Sequence, residues 1–355
     1  MSEKAKNLLA LSIVPQVLLV KVLAGFPEVV EAYYSNGIYR FIASGYRYAF
    51  GWVPFSVGDI FYALAGIMIL RFIWRKVRSV SRKPWPFFRE ILQTLSLAYL
   101  FFYLSWGLNY YRLPLHRSLG IGAEYTTEEL VSFTEKLIER TNTLHTTLAA
   151  SDSSAVNIPY SRREIYQRSI EGYARLAERS PHLAYSPASI KSSLFSLPLS
   201  YMGYGGYLNP FTNEAQVNSM QVDYRYPLVT CHEEAHQIGY SAENEANFIG
   251  YLAATANPDP YFRYSGYAYM LRYCLNETYR RDRDTYARLV ATLHKGVLEN
   301  YREAALFWKK YENPLEPIFK NTFNAYLEAN NQAGGIKTYS YVVALLVNYH
   351  RKEAL

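Results

Sequence analysis

Hydrophobic and polar positions are distributed unevenly along the chain. Three long apolar stretches precede Arg112, and segments with helix-spaced apolar residues follow it. The stretches run from Leu8 to Phe26, from Gly58 to Trp74 and from Ile91 to Tyr111. A helix needs roughly 20 mostly apolar residues to cross a bilayer core, so the pattern predicts three membrane spans. The first contains Pro15 and Lys21, and the lysine sits near its end, where a long side chain can snorkel to the interface. A cleaved signal peptide explains this stretch less well, because no small-residue cleavage site follows and two further apolar stretches do.

The loops set an expected orientation. RKVRSVSRKPWPFFR, between the second and third stretches, is dense in Arg and Lys, whereas the preceding loop carries only Arg40 and Arg47 against Glu28 and Glu31. The positive-inside rule places the basic loop in the cytoplasm. With three spans the N-terminus is then cytoplasmic, and everything after Tyr111 lies outside. The expected organisation is a transmembrane unit over residues 1–111 and an extracytoplasmic domain over residues 112–355.

Past WGLNYYRLPL the pattern becomes that of a mostly helical domain. TTEELVSFTEKLIERTNTL opens on a cap candidate at Thr126 or Thr127, and RREIYQRSIEGYARLAERS has the same helical spacing. From Ser189 to Gln221 the spacing is irregular: glycines and an Asn-Pro break helices, while Tyr, Phe and Val suit short strands or a hairpin. Helical spacing returns from Pro227, breaks at Pro258 and Pro260, and ends in an apolar helix around Tyr341–Tyr349. The Ala333–Gly335 segment reads as a turn, since it lacks the pattern of a phosphate loop.

Composition narrows the function classes. Tyrosine supplies 35 of the 355 residues and favours half-wet clefts and membrane interfaces. The net charge of +7 gathers partly beside an apolar stretch, which points to membrane orientation and not to nucleic acid. Two cysteines, Cys231 and Cys274, are too few for a disulfide framework.

The candidate chemistry lies in CHEEAHQIGYSAENEANF, Cys231 to Phe248. His232 and His236 are about one turn apart, so both imidazoles project from one helical face and can take two corners of a tetrahedral zinc site. Glu233 follows the first histidine, where it can reach a water without being a ligand, the HExxH arrangement. Gly239 can end this helix in a left-handed turn. A histidine at position 242 would extend the motif to another class, but Ala242 stands there. The third ligand is expected from a second helix starting near Ser241. Glu243 and Asn247 lie one turn apart and share a face, with Glu243 as ligand and Asn247 orienting a histidine. Glu245 is the alternative ligand.

HEEAHQIG followed by ENEANF resembles the gluzincin branch of the zincin metallopeptidases. With EAYYSNGIYRFI, PFSVGDI, WGLNYYRLPL and PFTNEAQVN, nearly the whole chain resembles a bacterial family of unknown function in that superfamily, with three N-terminal spans before a zincin-like domain. The resemblance implies Glu233 as the base and YMGYGGYLNPF as a substrate-binding edge strand. Asn247 stands where many gluzincins have aspartate, and the interval from His236 to Glu243 is shorter than in most.

The expected fold is therefore mainly α, a three-helix transmembrane unit followed by a helical zincin-like domain with a small sheet or hairpin. The expected activity is zinc-dependent hydrolysis of a peptide or protein substrate at the outer face of a bilayer. Zinc is bound by His232, His236 and Glu243, and Glu233 is the base. Tyr204, Tyr207 and Tyr267 are candidates for oxyanion stabilisation, and His350 has no neighbours that complete a site. The alternative is a non-catalytic zincin-like domain that binds an envelope partner or polymer.

Overall fold

The structure is a computed structural model that describes residues 1–76, 84–332 and 341–355. Part of the basic loop and the Ala333–Gly335 turn lie outside the described residues. The protein is mainly helical, with one three-stranded sheet. Two buried apolar clusters fall on either side of Arg112. The smaller is built on Val20, Val30, Tyr34, Tyr39, Trp106 and Tyr110, and the larger runs from Leu115 to Val347. Among the described residues, Leu208 alone crosses from the second part of the chain into the first cluster.

Among the described residues, two helices are long and apolar enough to cross a membrane, Glu3–Ala24 and Val57–Lys76, where three were expected. The third stretch departs for a local reason. Its helix starts earlier, at Pro84, takes in Arg89 and Glu90, and stops at Ser105. Gly107–Tyr111 then form a 3₁₀ turn whose tyrosines are buried. A side chain at Gly107 would strike the Phe102 ring at 2.5 Å, so this turn requires glycine. Polar groups join this helix to the first one: Ser12 and Ser96 hydroxyls meet at 2.8 Å, Gln16 reaches Ser96 at 2.9 Å, and Arg89 pairs with Glu3.

The loop between the first two stretches is helical. Val30–Ile38 winds as a π-helix and runs into helix Tyr39–Phe50. Tyr39, Ala43 and Arg47, four residues apart, make a buried stripe, while Phe41 and Tyr48 are exposed. The sequence pattern was legible in hindsight, but the glycines and scattered tyrosines concealed it.

In the larger part, Thr126 and Ser161 cap helices Thr127–Leu148 and Arg162–Arg179 with reciprocal bonds to Glu129 and Glu164. The irregular segment yields β1 (Ile190–Ser192), β2 (Gly206–Asn209) and β3 (Glu214–Val217). Their order is β1-β3-β2, with β1 parallel and β2 antiparallel to β3. Hairpin partner β2 is thus an edge strand. The motif helix, Tyr226–Gln237, begins with Pro227 in its first turn and ends at Gly239, whose φ of +99° is left-handed. Helix Glu243–Ala256 packs back against it. Gly250 allows the close approach, since a side chain there would meet the His232 backbone N at 2.8 Å.

Buried Arg112 ties the two parts together. It pairs with Glu31 at 2.7 and 2.8 Å, donates to the Gly239 carbonyl at 2.8 Å and lies over the Tyr240 ring at 4.1 Å. Replacing Arg112 by Met strands the Glu31 carboxylate and should cost about 3–5 kcal/mol. Arg117→Gln, which breaks the exposed pair with Glu28, should change stability by under about 1 kcal/mol. Thermal unfolding of the detergent-solubilised protein compares the two.

Candidate metal centre

The motif helix and the helix after it cross so that three side chains converge. His232 Nε2 lies 3.3 Å from Glu243 Oε2, and His236 Nε2 lies 3.8 Å from the same oxygen. Ligands about 2.1 Å from a tetrahedral metal stand about 3.4 Å from one another, so these separations fit a zinc-sized ion. One nitrogen each from His232 and His236 and one oxygen from Glu233 also fall within 4.8 Å of one another. Two imidazoles and a carboxylate suit zinc or a related divalent ion. His236 Nδ1–H donates to the Tyr240 carbonyl at 2.6 Å, which fixes the ring and leaves Nε2 as the free donor. Tyr240 is placed for this by the Gly239 turn, where its own N–H bonds back to Ala235 O at 3.1 Å.

Glu243 and Glu245 part company. Burial raises the Glu243 carboxyl, but its close contacts with His232 and His236 outweigh it and hold the group well below the usual range. Glu245 points the other way and accepts from Leu115 N–H at 2.6 Å; burial pushes it up to about 7. Asn247 does not orient a histidine. Its side chain is buried and lines the cleft, and its Nδ2 has no hydrogen-bond partner.

Glu233 is buried beside His232. Burial pushes its carboxyl up to about 7, with both histidines opposing and Glu243 adding to the rise. Its Oε2 has no partner, and its Oε1 lies against Gly206 in β2, where a side chain would collide with it and with the Gln216 carbonyl. The last glycine of YMGYGGY, Gly206, is therefore a consequence of the glutamate beneath it. A carboxyl in this setting can exchange a proton with whatever occupies the cleft.

The cleft holds about 910 Å³ and is lined by His232, Glu233, His236 and Glu243, by residues 200–208 including all of β2 but Asn209, and by a wall of aromatic rings. Tyr62, Phe102, Trp106 and Tyr110 of that wall come from the second and third apolar stretches. Tyr204 and Tyr207 line the cleft, but the Tyr207 hydroxyl is engaged by Asp59. Tyr267 is packed against Tyr251 away from the cleft, and His350 bonds Tyr251 Oη at 3.0 Å, so neither joins the site. Sequence reasoning missed Arg225, Arg272, Asn276 and Trp308, which also line the cleft. Arg225 had a signal: seven residues before His232, it shares that residue's helical face.

Helix termini carry unsatisfied carbonyls, and the end of the motif helix is closed from the N-terminal part of the chain. Trp106 Nε1–H donates to His236 O at 3.1 Å. Tyr39 Oη–H and Arg47 Nη1–H donate to Gln237 O at 2.9 and 3.2 Å, and Arg112 takes Gly239 O. None of these partners was recognised from sequence, because their spacing to the motif is set only by folding.

Residues 34–347 match a family described as a protein of unknown function (DUF3810), and the chain belongs to that family. No curated protein and no solved structure matches it.

The two glutamates make separable predictions. Glu243→Gln should weaken zinc binding by at least about tenfold through loss of the anionic oxygen. Glu245→Gln, which keeps an acceptor for Leu115 N–H, should leave zinc binding within about threefold of wild type. Competition with a chromogenic zinc chelator measures both.

Proposed function

We propose that the chain is a membrane-anchored, zinc-dependent metallopeptidase of gluzincin type that hydrolyses peptide bonds at the outer face of a membrane. The observation that carries this reading is the convergence of His232 Nε2, His236 Nε2 and Glu243 Oε2 beside the buried, unpartnered carboxylate oxygen of Glu233. A purely structural metal site has no need of that fourth group.

His232, His236 and Glu243 hold the ion. When bound, zinc supplies Lewis acidity, lowering the pKa of water and polarising a carbonyl. Glu233 Oε2 takes the proton of the attacking water and returns it to the leaving amide nitrogen. The substrate backbone lies along edge strand β2, whose position over Glu233 supports strand addition as the mode of binding. The aromatic wall excludes water from the bond under attack, and of the three tyrosines weighed for the oxyanion Tyr204 fits best, since it lines the cleft and its hydroxyl is held only by a 3.4 Å bond to Phe319 O.

Helix Pro84–Ser105 completes the anchor as a third crossing. It packs along Glu3–Ala24 through Ser12, Gln16 and Ser96, and it leaves Leu97, Phe101 and Leu104 exposed for lipid. The basic loop then faces the cytoplasm, and the cleft opens outside.

Two measurements test this reading. Purified wild-type protein and Glu233→Gln should both carry zinc, and the substitution should lower hydrolysis of a peptide library by about 10²–10⁴-fold. Zinc in both with no hydrolysis by wild type would favour the non-catalytic binding domain. A cysteine introduced at exposed Ser118 should react with an impermeant maleimide added outside intact cells, the native Cys231 and Cys274 being fully buried. Labelling only after the inner side is exposed would reverse the topology.

A further inference from the structure

The proposed chemistry leaves Arg225 unused. It is 9% exposed and lines the cleft. Its Nη2 donates to Tyr269 Oη at 3.0 Å, and its guanidinium lies 4.9 Å from the Tyr269 ring centre and 5.7 Å from that of Trp308. Its Nε is buried with no hydrogen-bond partner. Among the described residues no carboxylate lies within ion-pair distance of it. Other buried arginines are compensated: Arg112 has Glu31, and Arg47 has the carbonyls of Pro187 and Gln237 and the Asn213 side chain. A buried cation without a counter-charge is costly, and this one is aimed into the cleft that holds the candidate centre.

Its surroundings strengthen the anionic preference. Arg225 directly precedes the motif helix, whose N-terminal end carries partial positive charge. Arg272 lines the same cleft, is exposed, and forms no ion pair with a described residue. Asn276 follows it by one turn, also on the cleft. Besides Glu233 and Glu243, two acids share the lining. Glu316 is paired with Lys320, and Glu312 lies within ion-pair distance of neither arginine.

We propose that Arg225 and Arg272 form a carboxylate-binding subsite, so that the substrate is a peptide bearing a carboxylate a short distance from the bond that is cut. Guanidinium groups match the planar geometry of a carboxylate with paired N–H donors. The distance follows from the helix. Seven residues separate Arg225 from His232, which is about 10 Å of helical rise. An extended peptide advances about 3.3 Å per residue, so the carboxylate lies about three residues from the scissile bond. This assignment rests on the peptidase reading for the words substrate and scissile bond, and its test does not depend on hydrolysis.

The experiment uses the full-length, detergent-solubilised Glu233→Gln protein, stripped of metal with a chelator so that a carboxylate cannot bind at the ion. Three dansyl-pentaalanine probes are titrated: the free C-terminal acid, the C-terminal amide, and the amide with one internal glutamate. The acid should bind about tenfold tighter than the plain amide. That preference should vanish when Arg225→Gln is added and fall when Arg272→Gln is added. Arg272 is exposed, so its variant carries the test should the Arg225 variant unfold, as circular dichroism would reveal. Equal affinity for acid and amide, or a preference that survives both substitutions, overturns the subsite. If the glutamate-bearing amide binds like the acid, the subsite stands and takes side-chain carboxylates. If it binds like the plain amide, the subsite stands and is specific for a C-terminus. An acid preference in a protein whose wild type hydrolyses nothing supports the subsite while removing the peptidase reading.

Discussion

The closure of one helix end is the constraint on which the rest of the molecule depends. The motif helix must stop directly after His236 so that the chain can turn back and bring Glu243 to the two histidines. Stopping there leaves the carbonyls of Gln237 and Gly239 without backbone partners in a buried place, each costing about 1–3 kcal/mol if left unpaired, and leaves His236 O with only the Gly239 N–H at 3.0 Å. Trp106, Tyr39, Arg47 and Arg112 satisfy them. Two of the four are cations placed at the negative end of the helix dipole, where their charge is favoured. The helix end is therefore completed by residues 127 or more positions away in sequence, brought there only by folding; no local capping pattern does the same.

This closure makes the N-terminal part integral to the cleft. Its start of helix Val57–Lys76 is held by the larger part as well: Glu214 of β3 accepts from Val57 and Gly58 N–H at 3.2 and 2.5 Å, and Asp59 receives the hydroxyls of Ser193 and Tyr207. Tyr207 belongs to β2, which covers Glu233. The strand over the candidate base and the end of the candidate metal helix are thus both fixed by the segment that carries the apolar stretches. A design in which the cleft folds independently of that segment would leave these carbonyls, Glu214 and Arg47 exposed or unpaired.

The cleft is chemically mixed as a result: rings from the second and third apolar stretches, the guanidinium groups of Arg225 and Arg272, and the histidines and glutamates all line it. Low polarity around Glu233 raises its carboxyl, while the histidine contacts hold Glu243 down, so two buried acids within one site are driven in opposite directions.

Local spacing by itself determined the motif helix with His232, Glu233 and His236 on it, the Gly239 turn, the Thr126 cap, the short strands between Ser189 and Gln221, and two of the apolar helices. All of these follow from rules that act over one or two turns: side-chain periodicity, capping and the freedom of glycine. The same rules left Glu243 and Glu245 open, because they differ by two residues and either fits a helix start. The tertiary structure separated them, sending Glu243 to the histidines and Glu245 to Leu115 N–H. It also ended the third apolar helix at Ser105, made a docked helix of the Tyr39–Phe50 loop, and brought Arg225 into the cleft without a counter-charge. Each of these outcomes rests on contacts between distant segments, and burial and hydrogen-bond satisfaction across such contacts leave no periodic trace in the chain.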